Sequence, residues 1–374
     1  MKQMGRKLMG LAMSLVLLAV LLPGTAKAAE QESPAGLDLT QAEDVTYSYG
    51  ENGTANWVKS TLTLTLSGDG KIEAEGDNKG ITLPAGSQLV VAENAHWTVK
   101  GADSESAGYH GIYADGDLEL EIKQNASLDL AGGNSNDTFF GGYFGGHGLY
   151  VKGALTAEVA ETGSLTAVGG DSSVTGGYGI WSGLLHLTNN GTVRAASGKT
   201  KDAYSSIGLW SYSGAGTSSI SGTGRLLCMG LTGITVQKKV SGLAGALEIT
   251  SGTVIAVGQS SYGAETLTGT VTVKSGAALT AVGAQNGIEG SVLGDGTVFQ
   301  LTAALGADFG PEDIVTEDKS TGLDLSEVKK SKLYTNVGGG TALWEYSSEP
   351  GTTPHTLTLS GDGKIEAEGD NKGI

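Results

Sequence analysis

The chain has 374 residues, one cysteine, 40 acidic against 23 basic side chains and a formal net charge of −17. A single cysteine excludes an intramolecular disulfide, and an acidic surface repels phosphate backbones, so nucleic acid is a poor partner. Glycine contributes 62 residues, more than twice its usual share, while proline contributes only 6. With apolar and polar residues in alternation, this composition is typical of short strands and turns and not of disorder.

The first predicted element is a secretory signal over residues 1–28. Basic residues precede an apolar run over residues 8–22, and Ala26-Lys27-Ala28 matches a cleavage site. An uncleaved amino-terminal anchor is the alternative, but the run is short for a membrane span. No other segment is apolar enough to cross a bilayer. We therefore expect a secreted or cell-surface (extracellular) protein with no membrane span after removal of the signal.

Residues 29–61 are predicted to form an N-terminal lead-in or cap, and residues 62–304 carry an internal repeat. One motif is a short alternating segment that ends in glycine, at residues 72–76, 97–101, 128–132, 165–169, 193–198, 226–230, 254–258 and 279–283. The second motif begins with glycine, usually followed by Ile or Leu, at residues 80–82, 111–113, 148–150, 179–181, 208–210, 233–235, 263–265 and 287–289. Between the two motifs lies a third alternating segment, so each repeat holds three short strands.

These repeats predict one fold class. A unit of 25 to 37 residues cannot bury an apolar face alone, whereas stacked units bury a continuous core. We therefore predict an all-β fold, a right-handed parallel β-helix (β-solenoid) of about eight coils with three short strands each. Its handedness follows the usual rule for parallel crossovers.

The lone cysteine falls in the repeat. Cys228 occupies the place that Ala74, Val99, Leu130 and Ala167 take in other copies of the first motif. This column is predicted to face inward and to favour small side chains. Cys228 is therefore interpreted as a buried small hydrophobe and not as a reactive thiol.

A longer repeat overlies the coils, because residues 63–81 return letter for letter at 356–374. The sequence predicts an acidic linker over residues 305–321 and the start of a second, truncated β-helix module over residues 322–374. The second copy ends inside its second coil without a cap, and solenoids normally need one. We therefore expect the sequence to be a piece of a longer modular protein; a naturally short product with a frayed tail is the alternative.

The Gly-Ile-Tyr/Trp strands, the "LTLSGDGKI" stretch and the "GxLTAVGG" coils resemble Gly-rich bacterial surface or adhesin-like proteins of the pectate-lyase-like right-handed parallel β-helix type. The resemblance covers about residues 45–303. It implies a module of a cell-wall-attached, carbohydrate-binding or adhesin-like protein. The same solenoid carries lyases, glycosidases and non-catalytic adhesins, so a function taken from this fold alone is an analogy.

The main candidate site is an aromatic stripe at the third position of the second motif. Four successive coils place Tyr113, Tyr150, Trp181 and Trp210 there. At about 4.8 Å per rung, four rings would span about 14 Å, the length of roughly three sugar units. Because aromatic faces stack on sugars, the stripe is predicted to bind carbohydrate. The alternatives are a ladder that only stabilises the sheet, or a stripe covered by long turns.

Two pairs of residues are weak candidates for a metal. His110 and His147 precede the glycine of the second motif on adjacent coils, and Glu265 and Glu289 lie in the aromatic column further along. Paired imidazoles can bind a metal, and paired glutamates can hold Ca²⁺ or act as acid and base. No third ligand follows from the spacing, so structural or solvated side chains are favoured. We expect no cofactor, with Ca²⁺ possible.

The sequence favours a secreted or cell-surface, non-catalytic module for adhesion or carbohydrate binding, with a polysaccharide or cell-wall glycan as partner. One alternative is a polysaccharide-active enzyme, either a lyase or a glycosidase; another is a purely structural surface spacer. The sequence contains no serine-nucleophile elbow, no H-E-x-x-H zinc motif and no Walker loop. It therefore assigns no catalytic residue.

Overall fold

A computed structural model describes residues 29–32, 35–135, 145–200, 206–213, 216–238, 246–259, 262–303, 305, 309–346 and 355–363. The predicted signal at 1–28 and the last part of the long repeat, 364–374, lie outside the described residues. Among the residues it describes, no helix is long and apolar enough to span a membrane.

The secondary structure of these residues is almost entirely β. The strands in chain order are β1 (Ala29–Glu32), β2 (Leu37–Asp38), β3 (Val45–Tyr49), β4 (Gly53–Val58), β5 (Thr63–Ser67), β6 (Asp69–Glu73), β7 (Ile81–Leu83), β8 (Ser87–Val91), β9 (His96–Lys100), β10 (Ile112–Ala114), β11 (Leu118–Ile122), β12 (Ser127–Ala131), β13 (Leu149–Val159), β14 (Ser164–Val168), β15 (Ile180–Asn189), β16 (Thr192–Ala196), β17 (Ile207–Ser213), β18 (Ser218–Ser221), β19 (Arg225–Gly230), β20 (Thr232–Lys238), β21 (Ala246–Ile249), β22 (Gly252–Gly258), β23 (Tyr262–Val273), β24 (Ala277–Gly283), β25 (Asn286–Leu293), β26 (Thr297–Thr302), β27 (Ile314–Val315), β28 (Lys332–Val337), β29 (Gly340–Glu345) and β30 (Thr356–Ser360). One 3₁₀ turn, Pro311–Asp313, precedes β27.

The strands form three stacked faces, as the repeat predicted. A nine-stranded sheet, in which all pairs are parallel, runs from β6 to β26. A seventeen-stranded sheet makes the other two faces, because its long strands bend from one to the next. For example, β13 pairs with β10 through Leu149–Val151 and with β11 through Leu155–Val159. The described chain is therefore an all-β parallel β-helix, which confirms the predicted fold class.

Period-2 alternation places apolar columns inside each face. The second residues of the second motif pair in register along the helix: Ile81, Ile112, Leu149, Ile180, Leu209, Ile234, Ala264 and Ile288. Seven of these side chains are at most 3% exposed, and the side chain of Ala264 lies outside the description. Burying such a column removes apolar surface from water on every coil, which is the main stabilising term.

The first copy of the first motif is shifted by two residues from the predicted register. We aligned Ala74 with Val99, whereas the structure pairs Ile72 with Val99 and Gly70 with Trp97. A Cβ atom at Gly70 would clash with the Trp97 ring, so the glycine makes room for the indole. A shift of two residues keeps inside and outside unchanged, and therefore the core is preserved.

The prediction for Cys228 is confirmed. Its side chain is fully buried between Ala195 and Ala256 on the neighbouring coils. Burial raises the pKa of the thiol well above its ordinary value. Cys228 is therefore a small core residue.

The two lead-ins have matching local structure. In the first, β3, β4 and β5 form antiparallel pairs, and the indole nitrogen of Trp57 donates a hydrogen bond to the Ala42 carbonyl at 3.3 Å. In the second, β28, β29 and β30 form antiparallel pairs, and Trp344 donates to the Val328 carbonyl at 3.2 Å. Strands β28 to β30 therefore repeat the local structure of β3 to β5.

The segment between the coils and the second lead-in also contributes to packing. Leu305 and Phe309, within the predicted linker, are 4% and 3% exposed. The boundaries of the modules themselves stay predictions.

Candidate functional site

The four predicted aromatic residues lie in one backbone column. Parallel pairing joins Tyr113 to Tyr150, Tyr150 to Trp181, and Trp181 to Trp210. All four side chains are half-buried on the outside of the coils. They face outward because the Ile or Leu before each of them fills the core.

Three of these rings form one stack. Tyr150 lies between Tyr113, at a centroid distance of 5.4 Å, and Trp181, at 4.4 Å, with both neighbouring planes within 7° of parallel. The next ring beside Trp181 is Tyr212, at 6.4 Å and 29°. Sequence analysis did not single out Tyr212, although it stands two residues after Trp210 and so shares its outward face.

Trp210 leaves this stack and joins a second one. His110, His147 and Tyr178 stack at 4.9 and 4.8 Å, and Trp210 lies 5.0 Å from Tyr178 with the planes tilted by 55°. The two stacks touch, because His110 also lies 4.9 Å from Tyr150. We call this set of eight rings, in two adjacent columns, the aromatic ladder; its members are His110, Tyr113, His147, Tyr150, Tyr178, Trp181, Trp210 and Tyr212.

Backbone hydrogen bonds fix both histidines of the ladder. The N–H of His147 donates to Nδ1 of His110 at 3.0 Å, and the N–H of Tyr178 donates to Nδ1 of His147 at 2.9 Å. A nitrogen that accepts such a bond carries no proton, so each neutral ring holds its proton on Nε2. Neither nitrogen then has a free lone pair for a metal ion. The structural interpretation of this pair fits the geometry better than the metal hypothesis.

Burial favours the neutral form of these rings. It lowers the pKa of His110 to about 4, with a further contribution from the positive charge of Lys79. It lowers the pKa of His147 well below its usual value, and His110 adds to this effect. Both histidines therefore stay uncharged near neutral pH.

A polar network borders the ladder on its exposed side. The Asp115 carboxylate accepts hydrogen bonds from the Tyr113 hydroxyl and from Nζ of Lys152, each at 3.0 Å. These bonds, with that from Lys152 the stronger cause, lower the pKa of Asp115. Lys152 stands on the coil after Asp115, so the network joins two rungs. Asp115 and Lys152 are both exposed.

The stacking changes how a sugar could approach. Both faces of Tyr150 are covered by neighbouring rings, and Nζ of Lys79 lies 4.6 Å from the centroid of Tyr113. A glycan running along the helix would meet ring edges and not the ring faces on which we expected it to stack. The ring geometry fits the ladder alternative for stacking, and carbohydrate binding at these residues stays a prediction.

The second acidic candidate lies further along the same column. Glu265 pairs in register with Glu289 on the next coil, as the spacing predicted. Glu289 is half-buried, and the side chain of Glu265 lies outside what the structure describes. Within the described part of the chain, no three His, Cys, Asp or Glu side chains gather as a metal site would need.

A cleft of about 460 Å³ lies between the coils and the 3₁₀ turn. Its charged lining residues are Asp171, Arg194, Lys199 and Glu312. Nε of Arg194 is buried without a hydrogen-bond partner, and burial lowers the pKa of this guanidinium. Among the described residues, no carboxylate lies within ion-pair distance of it. Spacing within one repeat could not reveal this cleft, because Glu312 comes from a distant segment.

Fold and site together define the class of this protein as a parallel β-helix with an outward aromatic ladder. Comparisons with protein-family models, with curated proteins and with solved structures found no match to this chain.

Proposed function

We propose that this chain is a non-catalytic β-helix module, secreted or exposed at a cell surface, that contacts an extended polysaccharide along the rim of the aromatic ladder. The observation that carries the proposal is the network of Tyr113, Asp115 and Lys152 beside the half-exposed ring edges. It presents an acceptor and donors on two successive rungs, which suits a hydroxyl-rich ligand.

The contact differs from the one we expected from the sequence. Ring edges and the polar network meet the sugar, while the ring faces hold the ladder together. The signal-like residues 1–28 and the resemblance to Gly-rich bacterial adhesin-like proteins support a surface location. A polysaccharide or cell-wall glycan is accordingly the proposed partner.

The test is a pull-down of the purified chain on a panel of insoluble and immobilised polysaccharides, with the supernatant assayed for released sugar. Retention without release is the expected result. A chain that is not retained and releases no sugar would contradict the proposal. That outcome would leave a structural surface spacer, which the closed stacking of the ring faces also favours.

A second candidate function is a polysaccharide-active enzyme, and the cleft at Arg194 is the observation that favours it. A poorly solvated guanidinium in a cleft that Asp171 and Glu312 also line combines the group types that such chemistry uses. Release of reducing or unsaturated sugar that is lost in Arg194→Gln would support this candidate. Release that persists in Arg194→Gln would place the chemistry elsewhere.

A further inference from the structure

The outer face of the last coils is apolar, unlike the outer face of the central coils. In β22 the inward residues alternate with Ile255 and Val257, which point outward and yet are fully buried. In the column of Ile255 the central coils carry Thr166 and Arg194, whereas in the column of Val257 they carry Val168 and Ala196. The column of Ile255 therefore changes from polar on the central coils to apolar at β22, beside a column that is apolar on all these coils and continues to Val282 and Leu301.

The second lead-in covers this apolar surface. Leu333 and Leu343 face each other across β28 and β29, and they are 0% and 1% exposed. They belong to one cluster with Met229, Ile255, Val257, Val282, Leu301, Ala303, Leu305 and Phe309. The opposite side of the hairpin, with Ala342 and Trp344, packs in a separate cluster. Both faces of β29 are thus buried.

A shared turn helps to align the two lead-ins residue by residue. Asp38 accepts hydrogen bonds from the backbone N–H and the hydroxyl of Thr40, at 3.0 and 2.7 Å. Asp324 accepts the same two bonds from Ser326, at 3.0 and 2.7 Å. Together with the two matching tryptophans, this pattern fixes which residues correspond.

The corresponding outer positions differ in one respect. The first lead-in has Thr46 opposite Asn56, where the second has Leu333 opposite Leu343. The Thr46 hydroxyl donates a hydrogen bond to the Asn56 side-chain oxygen at 2.8 Å, and both residues are half-buried. The same hairpin therefore carries a polar pair at the amino-terminal end of the chain and an apolar pair where it follows a completed β-helix.

We propose that the Leu333–Leu343 pair is a docking element, which seats the start of one repeat on the outer face of the coils of the preceding repeat. The partner it fits is a β-helix end with outward Ile and Val, such as that formed by Ile255, Val257 and Val282. The polar Thr46–Asn56 pair lacks this apolar docking surface. Successive repeats are then fixed in orientation and do not swing on a flexible link. This inference does not depend on the proposed role in glycan binding.

The first experiment exchanges the pairs in the full chain. The variant Leu333→Thr/Leu343→Asn installs the residues of the first lead-in. We expect backbone amides of β28 and β29 to become at least about tenfold less protected in hydrogen exchange. Side chains on the outer face of β22 should become at least about tenfold less protected in surface labelling. Protection of β12 and β14, deep in the coils, should not change, which shows that the helix remains folded. Unchanged protection at β28 and β29 would overturn the proposal.

A second variant approaches the contact from the other side. Ile255→Thr/Val257→Thr places β-compatible polar residues on the outer face, as Thr166 does on a central coil. It should release the same hairpin without a change in the hairpin itself. Protection of β28 and β29 at the unsubstituted level in this variant would also overturn the proposal.

The reciprocal exchange tests whether the apolar pair is sufficient. Thr46→Leu/Asn56→Leu, combined with Leu333→Thr/Leu343→Asn, moves the apolar pair to the amino-terminal hairpin and frees the outer face of the coils. We expect these chains to associate head to tail in a concentration-dependent manner, measured by sedimentation. Thr46→Leu/Asn56→Leu alone is the matched control and should remain at the unsubstituted size, because the outer face is then already covered. A combined variant that does not associate would show that the leucines are not a docking element.

Discussion

The backbone N–H of His147 donates a hydrogen bond of 3.0 Å to Nδ1 of His110, the residue at the equivalent position one coil earlier. His147 in turn accepts the bond from the N–H of Tyr178, at 2.9 Å. Side chains of one coil therefore hold the backbone of the next, and each bond exists only while the imidazole is neutral. Several properties of the ladder depend on this chain of bonds.

The first prediction concerns pH. The folded chain holds the pKa of His110 at about 4 and the pKa of His147 well below its usual range, while the unfolded chain has ordinary values near 6.5. As the pH falls below about 6.5, the unfolded state therefore takes up these protons before the folded state does. The free energy of unfolding should thus be fully retained above about pH 6.5 and should fall below it, by up to about 1.4 kcal/mol per pH unit for each histidine. Urea denaturation at pH 7, 6 and 5 measures the slope.

His147→Gln should reduce that slope, since it removes one titrating group from the ladder. The matched control is Thr98→Gln, at an exposed strand position outside the ladder, which removes no titrating group and should leave the slope unchanged. Equal slopes for the original chain and His147→Gln would contradict the role assigned to His147.

The second prediction concerns the stacking itself. Tyr150→Leu keeps an apolar side chain but removes a ring that is stacked on both faces. We expect a loss of about 1–3 kcal/mol in the free energy of unfolding, since each aromatic pair contributes about 0.5–1.5 kcal/mol beyond buried area. Tyr47→Leu, at a half-buried tyrosine outside the ladder, is the control. A loss no larger than the control's would show that stacking adds nothing at this position.

The third prediction concerns glycan retention. If the polar network contacts the sugar, then Asp115→Asn/Lys152→Gln should abolish retention on the polysaccharide that binds the original chain, without affecting the stack of rings. Glu119→Gln changes an exposed acid on another face and should leave retention intact. Trp181→Ala/Trp210→Ala should also lose retention, but with a loss of stability that the network variant does not show. Full retention by both double variants would refute a binding surface at the ladder.

The fourth prediction concerns Cys228. Its buried thiol should not react with a thiol reagent until the chain is unfolded. Cys228→Ala should cost less than about 1.5 kcal/mol, because both neighbours in the column are alanines, whereas Cys228→Leu should cost about 1–3 kcal/mol by overpacking. Rapid labelling of the folded chain would contradict this assignment.

The sequence predicted the features that depend on the alternation of inward and outward residues along each strand. The column from Ile81 to Ile288 and the outward position of Tyr113 follow from strict alternation, which leaves each side chain one of two sides. The position of the Trp210 ring does not follow from alternation, because alternation sets the side of the sheet and not the rotamer that brings the ring against Tyr178. The shift at Ile72 was missed for a similar reason, since the bulk of Trp97 set the register there.

The covered outer face of β22 has a signal in the sequence that could have been recognised. Residues 254–257 are four consecutive apolar residues, where a strand with one solvated face should alternate. Such a run indicates a strand that is covered on both sides. Its cover comes from Leu333 and Leu343, which are distant in sequence, so alternation within one repeat could show that the face was buried but not by what.

The aromatic ladder also gives the molecule an internal optical reporter. Tyrosines in van der Waals contact with indoles pass their excitation on, and parallel rings held at fixed separations couple their transitions. Trp181 and Trp210 lie in the central coils, far along the chain from Trp57, Trp97 and Trp344. The near-ultraviolet dichroism of the stacked rings will therefore follow the separation of the middle rungs, so that the opening of one coil from the next can be watched without any added label.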